Sequence, residues 1–255
     1  MPQEKITFIE GNKDILLTVI HNKVVKTSTR PIKMYVSEEK GIMEIAKEIN
    51  KRTGVGVLIN NTSIDLNSEE IILDNKELLN EFKRIINRVN PFTVIDLHGM
   101  SNKGSMFNNS IDKGAVLSRA YVDKKSKGRR PDVDIGFRRK ASSNFCTSRG
   151  ETIIRLAKCL SFQGLVTDIE SVYPGGSFIG NIASVDRDTI ALEIANRIRK
   201  TKKNRKKVID GICRFISLMR GEKVAETPQD NTKKIQEKKP EKLLKPSIME
   251  LREDN

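Results

Sequence analysis

Two periodicities alternate along this chain, and that alternation decides what it can fold into. ILLTVI (15–20), VGVLIN (55–60) and FTVIDLHG (92–99) are short apolar, β-branched runs bounded by turn residues, the pattern of buried strands. Between them, 37–54 and 73–90 carry apolar residues three and four apart: Ile42, Ile45, Ala46 and Ile49, then Leu78, Leu79, Phe82, Ile85, Ile86 and Val89. That spacing lines one face of a helix, with Ser37 and Asp74 placed as caps and Gly54 as a stop. KITFIE (4–9) alternates and is expected to pair with 15–20 as a hairpin across Gly11–Asn12. Further on, 131–137, 165–172 and 188–195 read as strands, and 150–164 and a basic segment reaching about residue 220 read as helices. Strands alternating with helices predict an α/β fold, a three-layer sandwich with a mostly parallel mixed β-sheet flanked by helices.

One domain is expected over 1–220, with a long basic, Gly-rich loop at 101–130. A charged, largely disordered tail is expected over 221–255. The net charge of +14 is unevenly spread. Ten Lys and Arg stand against one acid (Asp210) between Ala195 and Arg220, and twelve against four between Ser101 and Gly150. Such stretches suit an anionic substrate, a nucleic acid or an acidic surface, and a solvated helix face is the plain alternative. RIRKTKKNRKK (197–207) holds no aromatic residue, so any nucleic-acid contact there would be to phosphates. No apolar run reaches the roughly 18 residues of a membrane span, and MPQEKITFIEGNK lacks the layout of a secretory signal. Cys146, Cys159 and Cys213 show no metal-type or disulfide-type spacing. A cytoplasmic protein is expected.

Ligands of open α/β sheets bind beyond the carboxyl ends of the strands. The two histidines of the chain stand at such ends, His21 after ILLTVI and His98 after FTVID. Asp65 and Asn67 follow the VGVLIN strand, and Glu193 lies near the end of DTIAL. Imidazole and carboxylate are suitable zinc ligands, and a catalytic zinc site keeps a position open for water. His21, His98 and one acid can hold Zn²⁺, and Glu193 can act as the base. Asp96, two residues before His98, shares its side of the strand and can orient that ring. Taken alone, each histidine reads first as a polar residue at a loop.

These motifs in this order resemble the N-formylglutamate amidohydrolase family, which is itself similar in fold to zinc carboxypeptidases and poly-γ-glutamate hydrolase. The residues that carry the resemblance are ILLTVIH (His21), SEEKG (Glu38, Glu39), SIDLN (Asp65, Asn67), VIDLHG (His98), DVDIGF (Asp134, Gly136), YPGGSFIG (173–180) and IALEIA (Glu193). They run from about residue 14 to residue 200. The sequence departs from the pattern at several places. Asn22 follows the first histidine where glycine or serine is common, and Val24 stands where carboxypeptidase-like sites carry a glutamate. Ser68 replaces an arginine, and Ala191 a glutamine.

The resemblance implies a zinc-carboxypeptidase-like sandwich and a zinc-dependent amidohydrolase. Its substrate would be an N-acyl amino acid or small acidic peptide. His21, Glu39 and His98 would be the metal ligands, with Glu38 the alternative to Glu39, and Glu193 the catalytic base. Asn67, Arg149 and Tyr173 would bind substrate, while Asp65 and Asp96 would support the ligands from behind. A relative that has lost catalysis and binds nucleic acid or another anion through its basic regions is the alternative function.

Overall fold

The computed structural model describes residues 4–22, 25–26, 35–36, 39–64, 75–100, 131–137, 147–169 and 187–223. All belong to one compact unit, Met1–Lys223. Nine strands are found among them: β1 (Ile6–Ile9), β2 (Asn12–Val19), β3 (Val25–Lys26), β4 (Tyr35–Val36), β5 (Val55–Asn60), β6 (Thr93–Met100), β7 (Val133–Phe137), β8 (Thr167–Ile169) and β9 (Asp188–Ala195). The helices are α1 (Ile42–Thr53), α2 (Lys76–Val89), α3 (Thr147–Phe162), α4 (Asn196–Arg199) and α5 (Lys202–Met219). Seven strands form a mixed sheet in the order β1-β5-β2-β6-β9-β7-β8, and β3 and β4 form a separate antiparallel ribbon. Within the large sheet only β1–β5 and β7–β9 pair antiparallel. The α/β sandwich with a largely parallel sheet, expected from the sequence, is the fold found.

Alternation along the strands sorts the core into two halves. Ile15, Leu17 and Val19 of β2, with Ile95 and Leu97 of β6 and Leu192 of β9, meet the apolar stripes of α1, α3 and α5. Leu16, Leu58 and Val94 face the other way, onto Phe82 and Ile86 of α2. Side chains such as Phe82, Phe215 and Leu16 are wholly buried, each contributing roughly 1.5–3 kcal/mol. Cys159 and Cys213 are free, buried thiols in the first half.

Three details differ from the sequence reading. First, β1 does not pair with β2 as a hairpin. Strand β5 lies between them, antiparallel to β1 and parallel to β2. Every residue of β5 is buried, so that strand needs a partner on both edges. Gly11 makes the crossing possible. A Cβ there would stand 2.4 Å from the Gly54 carbonyl oxygen and 2.5 Å from the Gly56 nitrogen, and the next residue, Asn12, donates its N–H to the Gly54 carbonyl at 2.6 Å.

Second, the helices begin later than the caps proposed for them. Gly41, at φ 89°, precedes α1, and Asn75 precedes α2, neither with a side-chain cap bond. Ser37 and Asp74 lie outside the described residues. Gly54 does end α1, in the left-handed region at φ 69°, with its N–H on the Asn50 carbonyl. Third, the basic segment after β9 is two helices. Thr201 interrupts it and caps α5 by accepting the Asn204 N–H. The loop expected at 101–130 and the tail expected beyond 220 lie outside the described residues, apart from Gly221–Lys223.

Candidate metal and catalytic site

Helix α2 covers only the part of its sheet face nearest Leu16, Leu58 and Val94. Farther along the same face the residues turn polar. Thr18 stands beside Asp96 across the β2–β6 pair. His98 stands beside Glu193 across β6–β9, and Glu193 beside Asp134 across β9–β7. Three neighbouring strands therefore present His98, Glu193 and Asp134 in one row near their ends. This follows from period two: with Val94 facing α2, Asp96 and His98 must face the same way.

His98 is the best-anchored member. Its Nε2 donates to Asp96 Oδ2 at 2.7 Å, and the other Asp96 oxygen accepts the Thr18 hydroxyl at 2.6 Å. All three residues are buried. The chain Thr18–Asp96–His98 fixes the ring and leaves its Nδ1 facing Glu39, whose Oε2 lies 3.9 Å away. Burial disfavours charge on the ring. The Asp96 carboxylate, aided by Glu193 and Glu39, outweighs it and holds the His98 pKa well above the usual histidine range.

Glu39 arrives from the turn that leads into α1. Its backbone N–H donates to the His21 carbonyl at 3.3 Å, and its carbonyl accepts the Ile42 N–H at 3.1 Å. Its Oε1 lies 3.1 Å from His21 Nδ1. Its Oε2 is buried and has no hydrogen-bond partner among the described residues. The two imidazole centroids are 5.1 Å apart at 68°. One ligand atom each from His21, Glu39 and His98 lie within 4.8 Å of one another, the group of this kind found among the described residues.

Glu193 is the neighbouring acid. Burial is the largest effect on it and pushes its carboxyl up to about 7. The two histidines oppose that rise, and Glu39 and Asp134 add to it. A carboxyl held near neutrality can accept and return a proton, the property a general base needs.

The donor set suits a divalent cation. It combines two imidazoles and a carboxylate, and one carboxylate oxygen is buried without a hydrogen-bond partner among the described residues. An unpaired buried carboxylate oxygen is costly in an apo protein, and a cation there would remove the cost.

The structure therefore brings together His21, Glu39, His98, Glu193 and Asp96 of the residues singled out from the sequence. Glu38, Asp65, Asn67 and Tyr173 lie outside the described residues, and of Arg149 only its place in the first turn of α3 is described. Two contributors were missed. Thr18 is the sole polar residue inside ILLTVI, a signal that was available. Arg199, buried beside Gly99, had no local signal and was read as part of a basic surface.

Several basic side chains of that stretch have partners within the protein. Arg197 pairs with Asp132 at 2.7 Å, Arg205 donates to the Arg199 carbonyl at 2.7 Å, and Lys206 and Arg52 share Asp210. Arg214 lies over the Phe162 ring, 4.6 Å from its centroid. Among the described residues, no helix is long and apolar enough to cross a membrane.

Comparison with protein-family models and with curated proteins finds no match. Solved structures with a similar fold include the gene product Atu2144 from Agrobacterium tumefaciens. It has a TM-score of 0.55 at 8% identity, over 86% of this chain and 96% of that one. N-formylglutamate amidohydrolase from Ralstonia eutropha JMP134 is similar with a TM-score of 0.51 at 10% identity, over 84% of this chain and 96% of that one. At such identities the likeness establishes architecture: the chain shares the α/β fold of these two structures.

Proposed function

We propose that this chain is a zinc-dependent amidohydrolase that cleaves the amide bond of an N-acyl amino acid or small acidic peptide. The observation that carries the reading is the buried Glu39 Oε2, without a hydrogen-bond partner among the described residues and flanked by His21 and His98, with Glu193 beside them. The fold shared with N-formylglutamate amidohydrolase supports it. His21, Glu39 and His98 would hold the ion. A bound Zn²⁺ would polarise the amide carbonyl and make a water acidic enough to attack near neutral pH.

The rest of the chemistry falls to the protein. Glu193 takes a proton from the attacking water and delivers it to the leaving nitrogen, a transfer suited to a carboxyl pushed to about 7. Asp96, held by Thr18, keeps the His98 ring in one tautomer by accepting from Nε2. Asn67, Arg149 and Tyr173 are assigned to substrate binding and Asp65 to ligand support, on the resemblance of the sequence motifs alone. The excess of Lys and Arg favours a substrate carrying a carboxylate.

The test is turnover of a panel of N-acyl amino acids and short acidic peptides by zinc-loaded protein. Release of free amine by the wild type, absent in Glu193→Gln, supports the proposal. A zinc-loaded wild type that hydrolyses none of the panel contradicts it.

A further inference from the structure

The three candidate ligands and Glu193 come from separate parts of the chain, so something must hold those parts in register. Glu39 sits on the turn before α1, His98 near the end of β6 and Glu193 near the end of β9. One side chain touches all three segments. Arg199, the last residue of α4, donates Nη1 to the Lys40 carbonyl at 2.9 Å and Nε to the Ile194 carbonyl at 2.9 Å. Its Nη2 lies 3.4 Å from the Met100 carbonyl. Lys40 follows Glu39, Ile194 follows Glu193, and Met100 is two residues beyond His98.

The surroundings make room for this residue. A Cβ at Gly99, next to His98, would stand 2.4 Å from the Arg199 guanidinium carbon. A Cβ at Gly41 would stand 2.8 Å from the Arg199 carbonyl oxygen. Arg205 in turn donates to that carbonyl at 2.7 Å. Arg199 is 7% exposed, so burial works against its charge, and the Glu39 and Glu193 carboxylates offset part of that effect. Burying a guanidinium is expensive, and three carbonyl acceptors together with two nearby carboxylates offset the cost. The planar fork suits the task, because its N–H groups diverge in fixed directions and each can reach a different segment. A lysine in the same place offers one compact head.

We infer that Arg199 is the positioning residue of this site. Its guanidinium sets the spacing of the turn carrying Glu39 and the strand ends carrying His98 and Glu193. The inference rests on the metal-site reading above. Its predicted consequence is that replacing Arg199 loosens the ligand geometry more than it lowers overall stability.

The test compares Arg199→Met, Arg199→Lys and the wild type, with Val208→Ala as a folded core variant on α5. Two properties are read: Zn²⁺ affinity by competition with a chelator, and the imidazole ¹⁵N–¹H spectrum of the metal-free protein, where only two histidines contribute signals. Arg199→Met is expected to bind Zn²⁺ about 10–100-fold more weakly, the usual effect of removing support behind a metal ligand. Its His98 signal should move, while Val208→Ala keeps wild-type affinity and signals. Arg199→Lys should fall between them, and it decides the matter if Arg199→Met does not fold. Wild-type affinity and unchanged imidazole signals in a folded Arg199 variant would overturn the inference. So would an equal loss in Val208→Ala. A wild type that takes up no Zn²⁺ contradicts the metal reading instead, and the metal-free spectra then decide the role of Arg199 separately.

Discussion

Glu39 is tied to His21 twice, through its backbone N–H on the His21 carbonyl at 3.3 Å and through Oε1 at 3.1 Å from Nδ1. The first bond places the turn and the second places the ring. Together they leave Oε2 free to face His98. A carboxylate in that position balances a cation between two imidazoles, whereas an amide would present a neutral oxygen or an N–H. Glu39→Gln is therefore expected to keep the fold and lower Zn²⁺ affinity by at least tenfold. Chelator competition alongside a thermal melt of the metal-free protein checks both halves of the statement.

Support behind His98 is expected to matter in steps. Thr18→Val removes the hydroxyl that Asp96 accepts and leaves one carboxylate oxygen without that donor. Asp96→Asn removes the carboxylate itself from Nε2. Both should weaken Zn²⁺ binding within a range of about 10–100-fold, with Asp96→Asn the larger. Equal affinities for the two variants and the wild type, measured by the same competition, would remove Asp96 from the site.

Glu193 separates chemistry from binding. Glu193→Gln is expected to retain Zn²⁺ with wild-type stoichiometry and lose roughly 10²–10⁴-fold in kcat, the usual contribution of a general base. Metal content by elemental analysis and steady-state kinetics on one active substrate test the two parts together.

Gly11 tests the strand order. In Gly11→Ala the added methyl meets the backbone of Gly54 to Gly56, which belongs to the start of a wholly buried strand and cannot turn aside. The expected loss is ~1–3 kcal/mol or more, the cost of overpacking. Alanine at Gly221, whose φ is positive but which has nothing within 4 Å, should cost about 1 kcal/mol from backbone strain alone. Urea unfolding midpoints of the two variants give the comparison.

How stability depends on acid follows from Asp14 and Arg220. Burial works against the Asp14 carboxylate, but hydrogen bonds from Arg220 and from the Ile15 N–H outweigh it and hold its pKa below the usual value. Arg220 also donates to the Thr53 carbonyl at 2.7 Å, so this pair fastens the end of α5 to β2 and α1. A carboxyl depressed in the folded state contributes stability above its unfolded pKa of about 3.9 and loses it as pH falls through the lower folded value. Asp14→Asn is therefore expected to be about 1 kcal/mol less stable than the wild type at pH 7. The difference should narrow below pH 4. Denaturant midpoints at pH 7 and pH 3.5 measure it.

Much of the architecture was legible because its signals are local. VGVLIN is strand β5 residue for residue, and the apolar stripe of 78–89 is the buried face of α2. His98 and Asp96 could be paired in advance because two residues on a strand share a face. The neighbour of β1 was not legible. A short alternating run beside a glycine fits a hairpin, and only the demand of a buried β5 for a second partner selects the other order. Arg199 was hidden for a related reason. Its three acceptors come from residues 40, 100 and 194, and no stretch of sequence near Arg199 records them. Charge counting likewise cannot see which basic side chains are paired, as Arg197 is with Asp132 and Arg220 with Asp14.

The most direct measurement is Zn²⁺ titration of metal-free wild type and of a His21→Ala/His98→Ala double variant, read by isothermal calorimetry and by elemental analysis after dialysis. The account predicts one Zn²⁺ per chain in the wild type and none retained by the double variant, with both proteins folded. A wild type that binds no zinc, or a double variant that binds it equally well, would contradict the account.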